Sequence, residues 1–171
     1  MIDDISFEIL KILQEKARIP NVEVARLVGL APSAVLERIR KLEKRGIIDG
    51  YEVRLNPQRF KKNLVAFIKI TVHETVENES VGRRLAEIPE IQEVHFITGD
   101  DGYLVKIRVS DPVELQRILQ EKIRPLEGVI LTHTSIVLST AKETSRIPLD
   151  EKMVKKSFKD IEQPSNIGEI P

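Results

Sequence analysis

The stretch from Gly29 to Ile48, GLAPSAVLERIRKLEKRGII, decides how the chain is read. Within it Val35, Ile39 and Leu42 recur at intervals of four and three residues, the spacing of one buried helical stripe. Pro32 suits the first position of such a helix, and Gly46 suits the position just beyond its end. At about 100° per residue, Ser33, Glu37, Arg40, Lys41 and Lys44 cover the face opposite the stripe, with Arg38 and Arg45 at its margin. The positive charge of this short rod therefore has a direction.

That charge stands out because the whole chain is balanced, with 27 basic and 27 acidic residues among 171. A neutral chain has no general basic coat, so any contact with nucleic acid has to be local. The sequence upstream gives the basic helix its setting. Asp3 to Lys16 carries Ile5, Ile9, Leu10, Ile12 and Leu13 at mostly helical spacing, with Asp3 and Asp4 at the end where a helix favours negative charge. Pro20 interrupts, Asn21 is expected to cap a short helix over Val22–Val28, and Gly29 closes it. Downstream, IIDGYEVRL places a turn at Asp49–Gly50 between two short extended pieces. Two short helices, a tight turn and a third basic helix predict a helix-turn-helix, and the trailing strand pair would make it winged. Residues 1–50 are assigned to this domain and residues 51–63, including the polar NPQRFKKN, to a strand and linker.

From Leu64 the pattern changes. LVAFIKITV (Leu64–Val72) reads as a strand rich in β-branched residues, Ser80–Ile88 as a helix with Ser80 at its cap, and Ile91–Thr98 as a strand. GDDG then turns the chain into Tyr103–Val109. Asp111 as cap and Pro112 at the first position start a further helix, and Gly128–Ser139 is the last strand. The order βαββαβ predicts a ferredoxin-like domain over residues 64–140, so the fold class is α+β. Two helices cover one face of that sheet. The other face is expected to be too apolar to stay wet, which predicts self-association. Residues 141–171 form an extension with a helix expected from near Asp150, carrying Met153, Val154, Phe158 and Ile161 on one side.

Together these residues resemble the Lrp/AsnC, or feast/famine, family of transcription regulators. The carriers are DDISFEILKIL, VEVARLVGLAPSAVLERIRKLEKRGIIDGY and RLNP in the first domain, and IPEIQEVHFITGDDGYLVKIRV and LEGVILTHTSIVLS in the second. The resemblance runs from Asp4 to about Ser139. It implies a DNA-binding regulator that dimerises through its ferredoxin-like domains, assembles further up to octamers, and responds to an amino acid or similar metabolite bound near the turn after the second strand. The sequence departs from the family at two places. Ala31 stands where the family has a capping Ser or Thr. The effector turn reads Gly99-Asp100-Asp101-Gly102-Tyr103, with Gly102 in place of the second acid.

On the basic helix, Ser33, Ala34 and Glu37 lie near its start and are expected to meet base edges in the major groove. Arg38 and Lys41 are expected to meet guanine or phosphate, and Arg40, Lys44 and Arg45 phosphate alone. Arg54, on the presumed wing, adds another phosphate contact. For a small amino-acid-like ligand, Gly99, Asp100 and Asp101 offer backbone N–H groups and carboxylates. Thr132, Thr134 and Ser135 offer hydroxyls from the last strand.

Other chemistry lacks residues to carry it. The chain has no cysteine, which removes disulfides, thiolate metal sites and thiol nucleophiles and fits a reducing cytosol. His73, His95 and His133 are separated without metal-ligand spacing, so no metal site and no cofactor are expected. No Gly-rich phosphate loop, Ser-His-Asp arrangement or H-E-x-x-H occurs, so no catalytic residue is assigned. No apolar run reaches the roughly 20 residues of a membrane span, and MIDDISFEIL lacks a basic secretory start, giving the expectation of a cytoplasmic protein with no membrane partner. Two rival readings remain: a sirohaem-decarboxylase-like enzyme of the same architecture, disfavoured by the acidic FITGDDGYL, and an architectural DNA-binding protein without an effector.

Overall fold

The computed structural model describes residues 2–73, 80–99 and 102–149. It divides into two compact units: residues up to Val53 together with the segment from Thr144, and Arg54–Glu143.

The first unit contains α1 (Asp4–Glu15), α2 (Asn21–Val28) and α3 (Pro32–Lys44). Asp3 caps α1 by accepting the Ser6 N–H at 2.8 Å. Asn21, expected as the cap of α2, is instead its first residue, and Pro20 occupies the cap position. The reason is local. Pro20 is fixed in an extended conformation, with φ −61° and ψ 141°, and its carbonyl already accepts the N–H groups of Glu23 and Val24 at 2.9 and 3.1 Å. Gly29 ends α2 in the left-handed conformation, φ 70°, where a side chain would be strained.

Ile9, Val24, Ala25, Val35 and Ile39 form the core of the three helices. Leu42 joins Ile2 and Phe7 in a second cluster. The predicted stripe of α3 is therefore the buried one, and each full burial of such a side chain contributes about 1.5–3 kcal/mol.

The expected strand pair around Asp49–Gly50 is not formed: residues 47–56 carry no ladder. The end of α3 explains this. Gly46 adopts φ 64°, the Gly46 N–H bonds the Glu43 carbonyl at 2.9 Å, and the Ile47 N–H bonds the Leu42 carbonyl at 2.9 Å. This is the Schellman ending of a helix, with Ile47 packed on the Leu42 cluster. The Ile48 N–H also turns to the Leu42 carbonyl, at 3.3 Å. The donors a wing strand would use are spent on the helix end.

The second unit contains β1 (Leu64–Val72), α4 (Ser80–Ala86), β2 (Ile91–Ile97), β3 (Gly102–Val109), α5 (Pro112–Ile118) and β4 (Val129–Ile136). The sheet order is β2-β3-β1-β4, every neighbouring pair is antiparallel, and the arrangement is the predicted ferredoxin-like one. Alternate residues of β1 and β3, among them Ala66, Ile68, Ile70, Val105 and Ile107, pack against Val81 and Leu85 of α4 and Leu115 and Ile118 of α5. Asp111 caps α5, accepting the Glu114 N–H at 2.9 Å. The Glu114 carboxylate reaches back to the Ser110 N–H at 2.6 Å and to Lys62 Nζ at 2.8 Å. The Lys62 hydrogen bond and that of Ser110 bring the Glu114 pKa down to about 2. The helix continues as one wider turn over Leu119–Ile123, which keeps Ile123 buried.

The face away from the helices carries the apolar Val65, Phe67, Ile97, Leu104 and Leu131, with Lys69, Lys106, Arg108, Glu93, His95 and His133 interspersed among them. It also receives a side chain from beyond the last strand: Glu143 pairs with Lys106 at 2.5 Å and Arg108 at 3.2 Å. The Glu143 hydrogen bond raises the Lys106 pKa. The helix expected from Asp150 lies outside the described residues.

Candidate nucleic-acid interface and effector region

Helix α3 presents Ser33, Glu37, Arg40, Lys41, Lys44 and Arg45 to solvent, and Ala34 and Arg38 are half-buried. Pro32 and the Schellman ending fix both ends of the rod, and the buried stripe fixes its rotation. Its N-cap is Ala31, extended at φ −71° and ψ 145°, and no side chain caps the helix. Glu37 and Lys41 form an exposed i,i+4 pair at 2.6 Å, and the Lys41 hydrogen bond holds the Glu37 carboxyl below its ordinary range. Such exposed pairs add little stability. Among the described residues no ion pair or hydrogen bond engages the Arg40 or Lys44 side chain.

Arg38 is placed differently from its neighbours. The sequence places it at the margin of the outward face and expects it to meet guanine or phosphate, whereas Nη1 donates to Asp3 Oδ2 at 2.5 Å and Ser6 Oγ at 3.0 Å. Burial alone would raise the Asp3 pKa, but hydrogen bonds from Ser6 and Arg38, with the guanidinium charge, bring it down to about 2. Asp3 thus caps α1 and ties it to α3. No local pattern reveals a bond across 35 residues, so this positioning role was invisible in the sequence. Tyr51, past the helix end, donates to Glu43 Oε1 at 3.0 Å, and its partial burial and the Glu43 carboxylate push the phenol up to about 12. Arg54 lies exposed in the irregular stretch that opens the second unit.

Among the described residues, those assigned to an effector stand apart in the sheet unit. Gly99, at φ 107°, closes β2 toward β3, while Asp100 and Asp101 lie outside the described residues. Thr132 and Thr134 stand opposite Ile70 and Ile68 on the helix side of the sheet, and Ser135 stands opposite Phe67 on the other side. With two strand spacings intervening, β4 lies about 10 Å from β3. Arg124, not singled out from the sequence, donates from Nε to Thr132 Oγ1 at 3.4 Å. It also lines an open cleft of about 240 Å³ between α5 and β4, with Leu115, Leu119 and Ile136. Gly102 has a structural reason to lack a side chain: it pairs with Thr71 in the ladder, and a Cβ there would run into the Ile70 carbonyl oxygen.

A helix-turn-helix unit with an outward cationic third helix, joined in one chain to a ferredoxin-like unit, defines the class of two-domain DNA-binding regulators. Residues 2–49 match a winged helix-turn-helix DNA-binding family, and residues 65–147 match the Lrp/AsnC ligand-binding domain. The leucine-responsive regulatory proteins of Escherichia coli K12 and Salmonella typhimurium are each 38% identical over 148 residues, spanning 85% of this chain and 90% of theirs. Among solved structures, a Neisseria meningitidis transcriptional regulator in complex with L-methionine is 29% identical with TM-score 0.83, over 89% of this chain and 99% of that one. The feast or famine regulatory protein of M. tuberculosis, also complexed with L-methionine, is 31% identical with TM-score 0.78, over 86% of this chain and 99% of that one. The chain belongs to the Lrp/AsnC family of transcriptional regulators.

Proposed function

We propose that this regulator contacts duplex DNA through the outward face of α3. Ser33, Ala34 and Glu37, at the start of the helix, meet base edges, while Arg40, Lys44 and Arg45 hold phosphates. Lys41 divides its charge between Glu37 and the backbone, Arg54 adds a phosphate contact, and Arg38 serves chiefly to orient the helix. The observation that carries the reading is the pair Arg40 and Lys44, outward on a rigid helix with no acidic partner among the described residues. Their phosphate contacts supply salt-sensitive affinity, and the helix start supplies sequence choice.

The protein acts as a homodimer or higher oligomer, and a small amino acid modulates it. The L-methionine complexes of two related regulators support that ligand class. As the family resemblance implies, the ligand lies between dimers near the turn after β2. Two-fold pairing places two α3 helices in successive major-groove faces about 34–36 Å apart, which predicts a pseudo-palindromic operator. The protein works without catalysis in the cytoplasm; among the described residues no helix is long and apolar enough to cross a membrane. Selection of bound duplexes from a random pool tests the reading. A pseudo-palindrome with half-sites one helical turn apart is expected, and recovery of no consensus overturns gene-specific control in favour of architectural binding.

A further inference from the structure

The segment Thr144–Leu149 follows the sheet unit in the chain yet belongs with the helix-turn-helix unit. Gln14 Nε2 donates to the Ile147 carbonyl at 2.8 Å, and the Ile147 N–H donates back to Gln14 Oε1 at 3.1 Å. This reciprocal pair uses a side-chain amide as a neighbouring strand would use a peptide group. Arg146 Nη2 donates to the Glu15 carbonyl at 3.2 Å. That carbonyl is among the four at the end of α1 with no partner inside the helix, and a cation is favoured there by the helix dipole. Leu149 packs against the cluster of Ile2, Phe7 and Leu42, so it touches the hydrophobic group shared by α1 and α3.

One residue before this segment, Glu143 is held in the sheet unit by Lys106 and Arg108 of β3. Only Thr144 and Ser145 separate the two anchorages along the chain. Within the segment, Thr144 Oγ1 accepts the Arg146 N–H at 3.1 Å in a local turn.

We propose that Thr144–Leu149 is a strap: it ties the order of α1 and α3 to the ionic anchor at Glu143, so that a change at Lys106 and Arg108 reaches the recognition helix along the chain. The consequence for DNA binding rests on the function proposed above; the strap itself is measured without DNA. Hydrogen exchange of the full chain compares the wild type with Gln14→Ala, Leu149→Ala and Glu143→Gln. Loss of one such contact is expected to speed exchange at the end of α1 and in α3 about three- to tenfold, with the amides of β1 and β3 unchanged as evidence of an intact sheet. Glu143→Gln is the decisive variant, because its side chain is bonded to β3 and a merely local arm would not carry its loss to α1. Wild-type exchange in α1 and α3 of Glu143→Gln overturns the strap. Weaker binding of selected duplex DNA by the same variant supports the regulatory consequence. Failure of the wild-type chain to bind any duplex defeats the DNA reading while leaving the exchange result to decide the strap.

Discussion

Ala31→Ser supplies the recognition helix with the cap it lacks. The backbone at Ala31 already has the extended conformation of a capping residue, and its carbonyl accepts the N–H groups of Ala34 and Val35 at 3.0 and 3.2 Å. Only a side-chain acceptor is missing. The chain itself shows what one does, since Asp3 and Asp111 each accept the N–H three residues on, at 2.8 and 2.9 Å. Ala31 is exposed, so a hydroxyl enters without steric cost. Capping of this kind contributes about 1 kcal/mol, within a range of about 0.5–2. For a unit of this size that corresponds to a rise of about 4–8 °C in its thermal midpoint. Calorimetry of the full chain, with hydrogen exchange assigning the shifted transition to α3, measures it. Ala31→Gly serves as the control and should show only part of the gain. Unchanged or faster exchange in α3 of the Ala31→Ser variant refutes the claim that a side-chain acceptor at position 31 stabilises the start of the helix.

Two further outcomes follow from the geometry. Gly102→Ala is expected to destabilise the sheet unit by about 1–3 kcal/mol, as forced overpacking does, because the new Cβ meets the Ile70 carbonyl; urea unfolding measures it, and an unchanged midpoint contradicts the close approach. Asp3 has its pKa depressed to about 2 from an unfolded value near ~3.9. The stability its bonds contribute is therefore present above about pH 4 and lost as pH falls toward about 2. Asp3→Asn should flatten this acid dependence in the exchange of α1 and α3, and an equally steep decline in the variant would show that Asp3 is not its source.

Much of the fold was legible because its signals are local and periodic. The spacing of Val35, Ile39 and Leu42 located the buried side of α3, and Asp111–Pro112 located the start of α5. What escaped the sequence was settled by competition or by distance. Asp49–Gly50 reads as a hairpin turn, but the N–H groups of Ile47 and Ile48 are taken by the end of α3. Thr132, Thr134 and Ser135 are alike in residue type, yet strand parity sends Ser135 to the opposite face, as its place directly after Thr134 in a strand requires. Arg38, at the margin of the cationic face, bonds Asp3 across 35 residues, and Glu143 lies in a stretch without periodicity. At the candidate site, therefore, residue types were readable and their partners were not.

If Arg40 and Lys44 hold DNA phosphates, the salt dependence of binding reads their loss. Affinity for a selected operator duplex is recorded across a salt series for the wild type and the Arg40→Ala/Lys44→Ala variant. Each lost phosphate contact lowers the log–log slope by about 1, so the pair should reduce it by about 2 while weakening binding to all sequences alike. An unchanged slope and affinity would contradict the account.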